Sequence, residues 1–188
     1  MLQFETEASG VYEALHKVKR TGWVNRGVKN PESVKEHTVA LLELLREITH
    51  LLTEQEMDGL AEMLEVHDWP EAIDGDPVIL ELNPELREKL LAEKFESEKS
   101  AMECICAPLS NGNAYMDFWL RMELSDDAAA ELGRQLDKYQ AVEKALWYEQ
   151  EHGIEMFQDF LGYALNFINH PVLLNRIEVL KQRCCNSV

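Results

Sequence analysis

The chain has 188 residues, 46% of them hydrophobic, and a formal net charge of −17. This length and apolar fraction allow one packed domain and exclude a disordered polypeptide. The acidic excess excludes general binding to nucleic acid polymers, because most of the surface would repel a polyanion.

Two further features bear on the compartment. No apolar run reaches the roughly 18 residues that a transmembrane helix needs, and the N-terminal MLQFETEASG lacks the basic and apolar regions of a signal peptide. The four cysteines form no CxxC pair, which argues against a zinc-thiolate site and for free thiols in a reducing environment. We therefore expect a cytoplasmic protein that does not enter a membrane.

The N-terminal third is predicted to be helical. A first helix covers about residues 7–20, and RTGWVNRGVKNPES then reads as a loop, because it has two glycines, an Asn-Pro and no apolar period. Ser33 and Glu36 fit a capping box, so a second helix is expected to begin near residue 33. Thr53 and Glu56 repeat this box and predict a third helix.

The remaining elements are also predicted to be helices. We expect them over the mid-80s to about 106, with a break near the middle, over about 113–123, over about 125–150, and over about 155–168 and 171–183. In the helix of about 125–150, Ser125 is the expected cap, and Asp126 and Asp127 are acids at the positive end of the dipole. Gly153 is expected to end this helix. Almost no segment shows the alternation typical of a strand. The expected fold is all-α, with a single domain over 1–188 and a core from about 11 to 180.

A histidine and an aspartate stand side by side where the apolar stripe of the third helix meets an acidic segment, in LEVHDWPEAIDGD. Adjacent helical residues project about 100° apart, so His67 and Asp68 can share an ion only near a helix end. Imidazole nitrogen with carboxylate oxygen suits manganese, cobalt, iron, zinc or nickel. Two ligands are too few for tight binding, so other helices must supply more.

Two residues are candidates for the missing ligands. His37 falls in the first turn of the second helix, beside an apolar stripe, and Asp137 lies mid-helix in LGRQLDKYQAVEKAL with small residues one turn away on either side. Each has a simpler interpretation. A lone histidine is more often structural or solvent-exposed, and Asp137 can instead pair at the surface with Lys138 or Lys144.

This pattern resembles the HD-domain metal phosphohydrolases, and more closely their 5′-deoxynucleotidase branch. Four segments carry the resemblance: LHKVKRTGWVNRGVKNPESVKEHT, VHDWPEAIDGD, QLDKYQAVEKALWYE and FINHPVLLNRIEVL. They touch most of the chain from about 11 to 180. Residues 77–125 match poorly, and there we expect differences in substrate or partner. The resemblance implies an all-α HD-domain fold with a metal site between helices.

The resemblance also implies a set of metal ligands, namely His37, His67, Asp68 and Asp137. The ion is expected to be divalent, with cobalt or manganese favoured and magnesium, zinc, iron and nickel as alternatives. A divalent ion lowers the pKa of bound water and polarises a phosphoryl oxygen.

Five further residues receive roles from the resemblance. Glu71 and Asp76 are expected to act near the attacking water, and Arg20 and Trp23 near the nucleotide. Arg26 is a second candidate for the phosphate, because the spacing of this region varies within the branch. On composition alone a surface glutamate is a plausible interpretation of Glu71. Trp23 is equally an anchor that pins its loop to the core.

The function that this interpretation predicts is hydrolysis of a (deoxy)nucleoside 5′-monophosphate to nucleoside and phosphate. One alternative is another HD phosphohydrolase activity on a different nucleotide or small phosphate ester. A second is a non-catalytic helical module in which the ion is structural or holds a nucleotide. Relatives in this branch form homodimers, so a homodimer is expected here as well.

Overall fold

The computed structural model describes residues 8–185, and these residues are mostly helical. The α-helices, numbered α1 to α11, span Ser9–Lys17, Thr21–Val24, Val34–Ile48, Glu54–Met57, Leu60–Val66, Glu71–Asp74, Pro84–Cys106, Gly112–Leu124, Ala128–His152, Phe157–Ala164 and Pro171–Cys185. A 3-10 turn, Thr49–Leu51, follows α3. Within these residues, β pairing is limited to an isolated bridge between Lys19 and Ser33. The predicted all-α fold is confirmed.

The part of the chain that the structure describes contains no helix long and apolar enough to cross a membrane. Most of the N-terminal decamer, on which the expected compartment partly rested, lies outside the described residues.

The described residues form two compact units. One comprises 8–38 with 66–120, and the other comprises 39–65 with 121–185. The chain passes from one unit to the other within α3, α5 and α8. The expectation of one domain over the whole chain stays a prediction.

The core of the first unit is built around Trp69, whose side chain is fully buried. Its ring packs edge-on against Tyr12 from α1, with centroids 6.1 Å apart, and against Tyr115 from α8, with centroids 5.1 Å apart. In α7 and α8, Phe95 stacks on Trp119 at 5.6 Å. The residue directly after the histidine-aspartate pair is therefore held by aromatic packing.

Both predicted capping boxes are present. Ser33 Oγ accepts from the backbone N–H of Glu36, whose carboxylate accepts from the backbone N–H of Ser33 at 2.6 Å. Thr53 and Glu56 make the same reciprocal pair. These contacts satisfy backbone donors that a helix start leaves free, and they define the starts of α3 and α4.

Four details of the predicted elements are wrong. The third helix is interrupted at Asp58–Gly59, where Gly59 has a φ of +70°, and so becomes α4 and α5. The predicted loop after α1 contains the one-turn helix α2, and α7 runs unbroken through its middle. At the start of α9 the capping side chain is Asp127 rather than Ser125, because its carboxylate accepts from the N–H groups of Ala129 and Ala130.

The second unit is centred on α9, against which α4, α10 and α11 pack. Gly133 lies at a close approach of α9 to its neighbours, since a Cβ there would meet the side chains of Met122 and Leu60. Gln135 Oε1 accepts hydrogen bonds from the backbone N–H groups of Asn169 and His170, and these bonds tie α9 to the turn before α11. Gly153, with a φ of +67°, ends α9 as predicted.

Candidate metal centre

The histidine-aspartate pair lies in a turn between two short helices. Helix α5 ends at Val66 and α6 begins at Glu71, so His67 follows the last helical residue directly. The backbone N–H of Trp69 bonds to the carbonyl of Val66, and that of Glu71 bonds to the carbonyl of Asp68, both at 3.1 Å. This geometry lets neighbouring side chains converge, which the regular 100° step of a helix would oppose.

His37, His67 and Asp68 converge within the first unit. The Nε2 atoms of His37 and His67 lie 3.7 Å and 3.1 Å from Asp68 Oδ2. The two rings are 5.6 Å apart between centroids, and a ligand nitrogen of each lies within 4.8 Å of the other. Two buried imidazole nitrogens and one carboxylate oxygen are a donor set that fits a divalent transition-metal ion.

A guanidinium group borders these donors. Arg20 Nη1 donates to Asp68 Oδ2 at 3.0 Å. Burial opposes ionisation of Asp68, but His67, Arg20 and His37 together outweigh it, so the pKa of Asp68 lies well below its usual range. Asp68 is therefore an ionised oxygen donor at neutral pH.

Glu71 is a buried acid rather than a surface glutamate. Its residue exposure is 4%, and among the described residues Oε2 has no hydrogen-bond partner. Burial, followed by the charges of Asp68 and Asp76, raises the pKa of Glu71 to about 11. Asp76, in contrast, is partly exposed and its Oδ2 accepts from the backbone N–H of Thr21 at 2.5 Å.

The segment before α3, residues 20–33, carries three candidate residues that differ in burial and in hydrogen-bond partner. Trp23 is 3% exposed, and its Nε1 donates to Glu32 Oε1 at 3.0 Å. This burial favours the interpretation of Trp23 as a loop anchor. Arg26 is exposed and donates to the carbonyl of Gly22 at 3.3 Å, whereas Arg20 contacts Asp68.

Asp137 lies in α9, in the second unit. Its side chain is 17% exposed, and its Oδ2 is 2.6 Å from Lys138 Nζ, one of the two lysines considered as surface partners. Lys144 instead lies over the rings of Trp147 and Tyr148. The assignment of Asp137 as a ligand stays a prediction.

Two of the remaining histidines have structural contacts. His170 Nε2 lies 2.9 Å from Glu56 Oε1, and the ring of His152 stacks on Tyr148 with centroids 5.7 Å apart. His50 is exposed in the 3-10 turn after α3. These environments agree with the structural or solvent-exposed roles expected from the sequence.

The sequence analysis did not single out two buried polar features of the first unit. Glu32 is 5% exposed and receives the indole N–H of Trp23, and Glu98 is 9% exposed and pairs with Lys94. The sequence carries a weak indication for Glu32, because it is an acidic residue in a segment, residues 20–33, whose other charged residues are basic. The Lys94–Glu98 spacing is too common on helices to be noticed.

The family model for the HD domain matches residues 12–170. The chain therefore belongs to the HD-domain family, and membership of this family implies a divalent metal ion.

Curated relatives carry the name 5′-deoxynucleotidase. The human 5′-deoxynucleotidase HDDC2 is 30% identical over 172 residues, covering 89% of this chain and 79% of the human protein. The Dictyostelium discoideum protein of the same name is 32% identical over 171 residues, covering 84% of this chain and 86% of its own length. The resemblance to this branch that the sequence predicted is confirmed.

A solved structure supports the fold. A conserved hypothetical protein from Pyrococcus furiosus superposes with a TM-score of 0.70 at 22% identity, covering 94% of this chain and 99% of that one. At this identity the likeness shows the fold alone.

Proposed function

We propose that this protein is a metal-dependent phosphohydrolase that releases phosphate from (deoxy)nucleoside 5′-monophosphates. The observation that carries the proposal is the convergence of the His37 and His67 nitrogens on Asp68, with Arg20 bound to the same carboxylate. The relatives named 5′-deoxynucleotidase support the substrate class.

The proposed ligands are His37, His67, Asp68 and Asp137, with Asp137 as the oxygen donor from α9. The ion is cobalt or manganese in this proposal, because a mixed nitrogen and oxygen set suits both metals. When bound, such an ion lowers the pKa of a coordinated water and polarises a phosphoryl oxygen.

The roles of the protein groups follow from their chemistry. Arg20 is proposed to bind the phosphate, because a guanidinium offers paired donors to phosphate oxygens, and Arg26 is the second candidate. Trp23 is proposed to lie beside the nucleotide as the anchor of the loop that carries both arginines. Glu71 and Asp76 are proposed to manage protons: the buried Glu71 Oε2 can hold a proton for the leaving 5′-oxygen, and Asp76 can orient the attacking water.

We further propose that the protein is cytoplasmic and forms a homodimer, and that it uses neither a membrane nor a nucleic acid polymer as a partner. Half-exposed apolar side chains on and just after α10 and on α11 support the dimer, because such residues are enriched at homodimer interfaces. They are Tyr163, Leu165, Phe167, Leu174 and Val179.

The test is phosphate release from a panel of deoxy- and ribonucleoside 5′-monophosphates, each with manganese, cobalt, magnesium or EDTA. We expect metal-dependent release from the deoxy series and a loss of at least about 100-fold in Asp68→Ala, with bound metal measured in parallel. Release from other phosphate esters but from no monophosphate would show a phosphohydrolase with a different class of substrate. Absence of release from every monophosphate, with metal bound, would overturn the proposal.

Chelation distinguishes catalysis from a structural ion. EDTA should abolish release while far-ultraviolet circular dichroism retains most of the helical signal. Unfolding on chelation would instead indicate a structural metal.

A further inference from the structure

Helix α7 carries two Lys–Glu pairs of the same spacing in different environments. Lys94 Nζ lies 2.7 Å from Glu98 Oε1, and their side chains are only 31% and 11% exposed. Lys89 and Glu93 form the equivalent pair at 3.6 Å, with side chains 70% and 59% exposed. An exposed pair contributes little, whereas burying two charges has a desolvation cost. The Lys94–Glu98 pair is therefore poorly explained by stability alone.

The buried pair lies next to the acidic segment that follows the histidine-aspartate pair. Ser97 Oγ donates to Asp74 Oδ2 at 2.8 Å and so holds α7 against α6. Lys94 is one turn before Ser97 on α7. Lys94, Asp74 and Pro77 line one cavity of about 390 Å³, and Pro77 directly follows the proposed proton carrier Asp76.

Residues 68–76 form an acidic segment, with four acidic side chains and no lysine or arginine. Buried Glu71 holds its proton at neutral pH and Arg20 pairs with Asp68, so the unpaired charge of the segment is smaller than the number of acids. Burial acts to lower the pKa of Lys94, but Glu98, and then Glu71 and Asp68, more than offset it, so the pKa of Lys94 lies above its usual value. Lys94 therefore carries a positive charge on the wall of the cavity that Asp74 and Pro77 also line.

We propose that Lys94 is a positioning residue for an anionic substrate, and that Glu98 holds its ammonium group on the α7 wall of this cavity. By offsetting the negative charge of residues 68–76, the ammonium lowers the cost of bringing a phosphate dianion to the site. The inference rests on the proposed function and extends it to α7. Because the effect is one of charge, it acts on substrate binding and leaves the chemical step largely unchanged.

The first experiment compares Lys94→Met, Lys94→Arg and the matched control Lys89→Met in the full chain with manganese. Two quantities are measured: kcat and KM for a deoxynucleoside 5′-monophosphate, and the Kd of inorganic phosphate by calorimetry. In Lys94→Met, KM and Kd should both rise about tenfold, as expected for the loss of a nearby charge in a partly buried site, while kcat changes less than about twofold. Lys94→Arg should restore most of the binding, and Lys89→Met should match the wild type.

A second variant separates this role from a structural one. Lys94→Met leaves Glu98 buried without its lysine and is expected to lower Tm. The double variant Lys94→Met with Glu98→Leu replaces the pair by apolar groups and should recover Tm, but its KM and phosphate Kd should stay high. Recovery of binding together with Tm would show that Lys94 is only structural and would overturn the proposal.

The two proposals fail in different ways. Wild-type protein that binds phosphate but hydrolyses no monophosphate contradicts the proposed function, and the phosphate titration then still decides the role of Lys94. An unchanged phosphate Kd in Lys94→Met overturns the positioning role even if the wild type is an active nucleotidase. If the wild type hydrolyses a monophosphate but its phosphate binding is too weak to measure, KM decides, and an unchanged KM in Lys94→Met overturns the positioning role.

Discussion

Arg20 donates a hydrogen bond to Asp68 Oδ2 across 3.0 Å, although 48 residues separate them in the chain. The same oxygen lies 3.1 Å from His67 Nε2. A guanidinium and an imidazole thus meet at one carboxylate oxygen within the first unit. This relationship distinguishes Arg20 from Arg26, which is exposed and donates to the carbonyl of Gly22, one turn earlier in the chain.

The first prediction concerns these two arginines. Replacing Arg20 by Lys keeps the charge but removes the paired donors, so KM for a nucleoside monophosphate should rise about tenfold, and Arg20→Met should raise it further. Arg26→Met should change KM by less than about twofold. The measurement is steady-state phosphate release at fixed manganese, with metal content as the control. A larger effect at Arg26 than at Arg20 would reverse the assignment.

A substitution at Trp23 tests whether this residue anchors its loop to the core or stacks on the nucleotide. Trp23→Phe keeps an aromatic ring but removes the Nε1 donor that reaches buried Glu32. We expect a loss of about 1–2 kcal/mol in the free energy of unfolding, measured by urea titration, with KM nearly unchanged. A raised KM at unchanged stability would support direct stacking on the nucleotide.

The cap of α9 predicts a dependence of stability on pH. The hydrogen bond from Arg121, helped by the backbone N–H of Ala130, holds the pKa of Asp127 well below its ordinary 3.8. Because the folded pKa is the lower one, Asp127 stabilises the fold above about pH 4, and this contribution is lost as the pH falls towards the folded pKa. Asp127→Asn should therefore flatten the fall in the free energy of unfolding between about pH 4 and pH 2.

The matched control for this prediction is Asp126→Asn, at an exposed neighbouring position. It should leave the wild-type pH profile unchanged. Asp127→Ala removes the cap altogether and should lower stability at pH 7 by about 1 kcal/mol. Equal acid sensitivity of wild type and Asp127→Asn would contradict the prediction.

Replacement by alanine is expected to have opposite effects on stability at two glycines that lie in helices. A Cβ at Gly112, the first residue of α8, would clash with the backbone carbonyl of Cys106, so Gly112→Ala should destabilise the protein by about 1–3 kcal/mol. Gly162 lies within α10, where a Cβ would meet nothing within 4 Å. Gly162→Ala should therefore stabilise by about 0.5–1 kcal/mol. Thermal or urea unfolding of both variants checks the pair, and a shared sign would be inconsistent with the packing described.

The capping boxes show which features of the fold are predictable from local sequence. Ser33 with Glu36 and Thr53 with Glu56 act between residues three apart, so their contacts depend on local sequence alone. The histidine-aspartate pair is recognisable for the same reason, since its members are adjacent. The interruption at Gly59 was not predicted, because a glycine within an apolar period is compatible with both a continuous and a broken helix.

The sequence by itself determined the helical class, the family pattern and the residue types able to hold a metal, since these follow from short-range periodicity and motif spacing. Only the tertiary structure decided that Glu71 is buried, that Trp23 turns its indole N–H inwards to Glu32, and that Arg20 reaches Asp68. The two pairs on α7 make the reason plain. Lys89–Glu93 and Lys94–Glu98 have the same local pattern, and only packing against the rest of the first unit removes water from the second. Burial and charge environment depend on residues distant in sequence, and no local pattern encodes them.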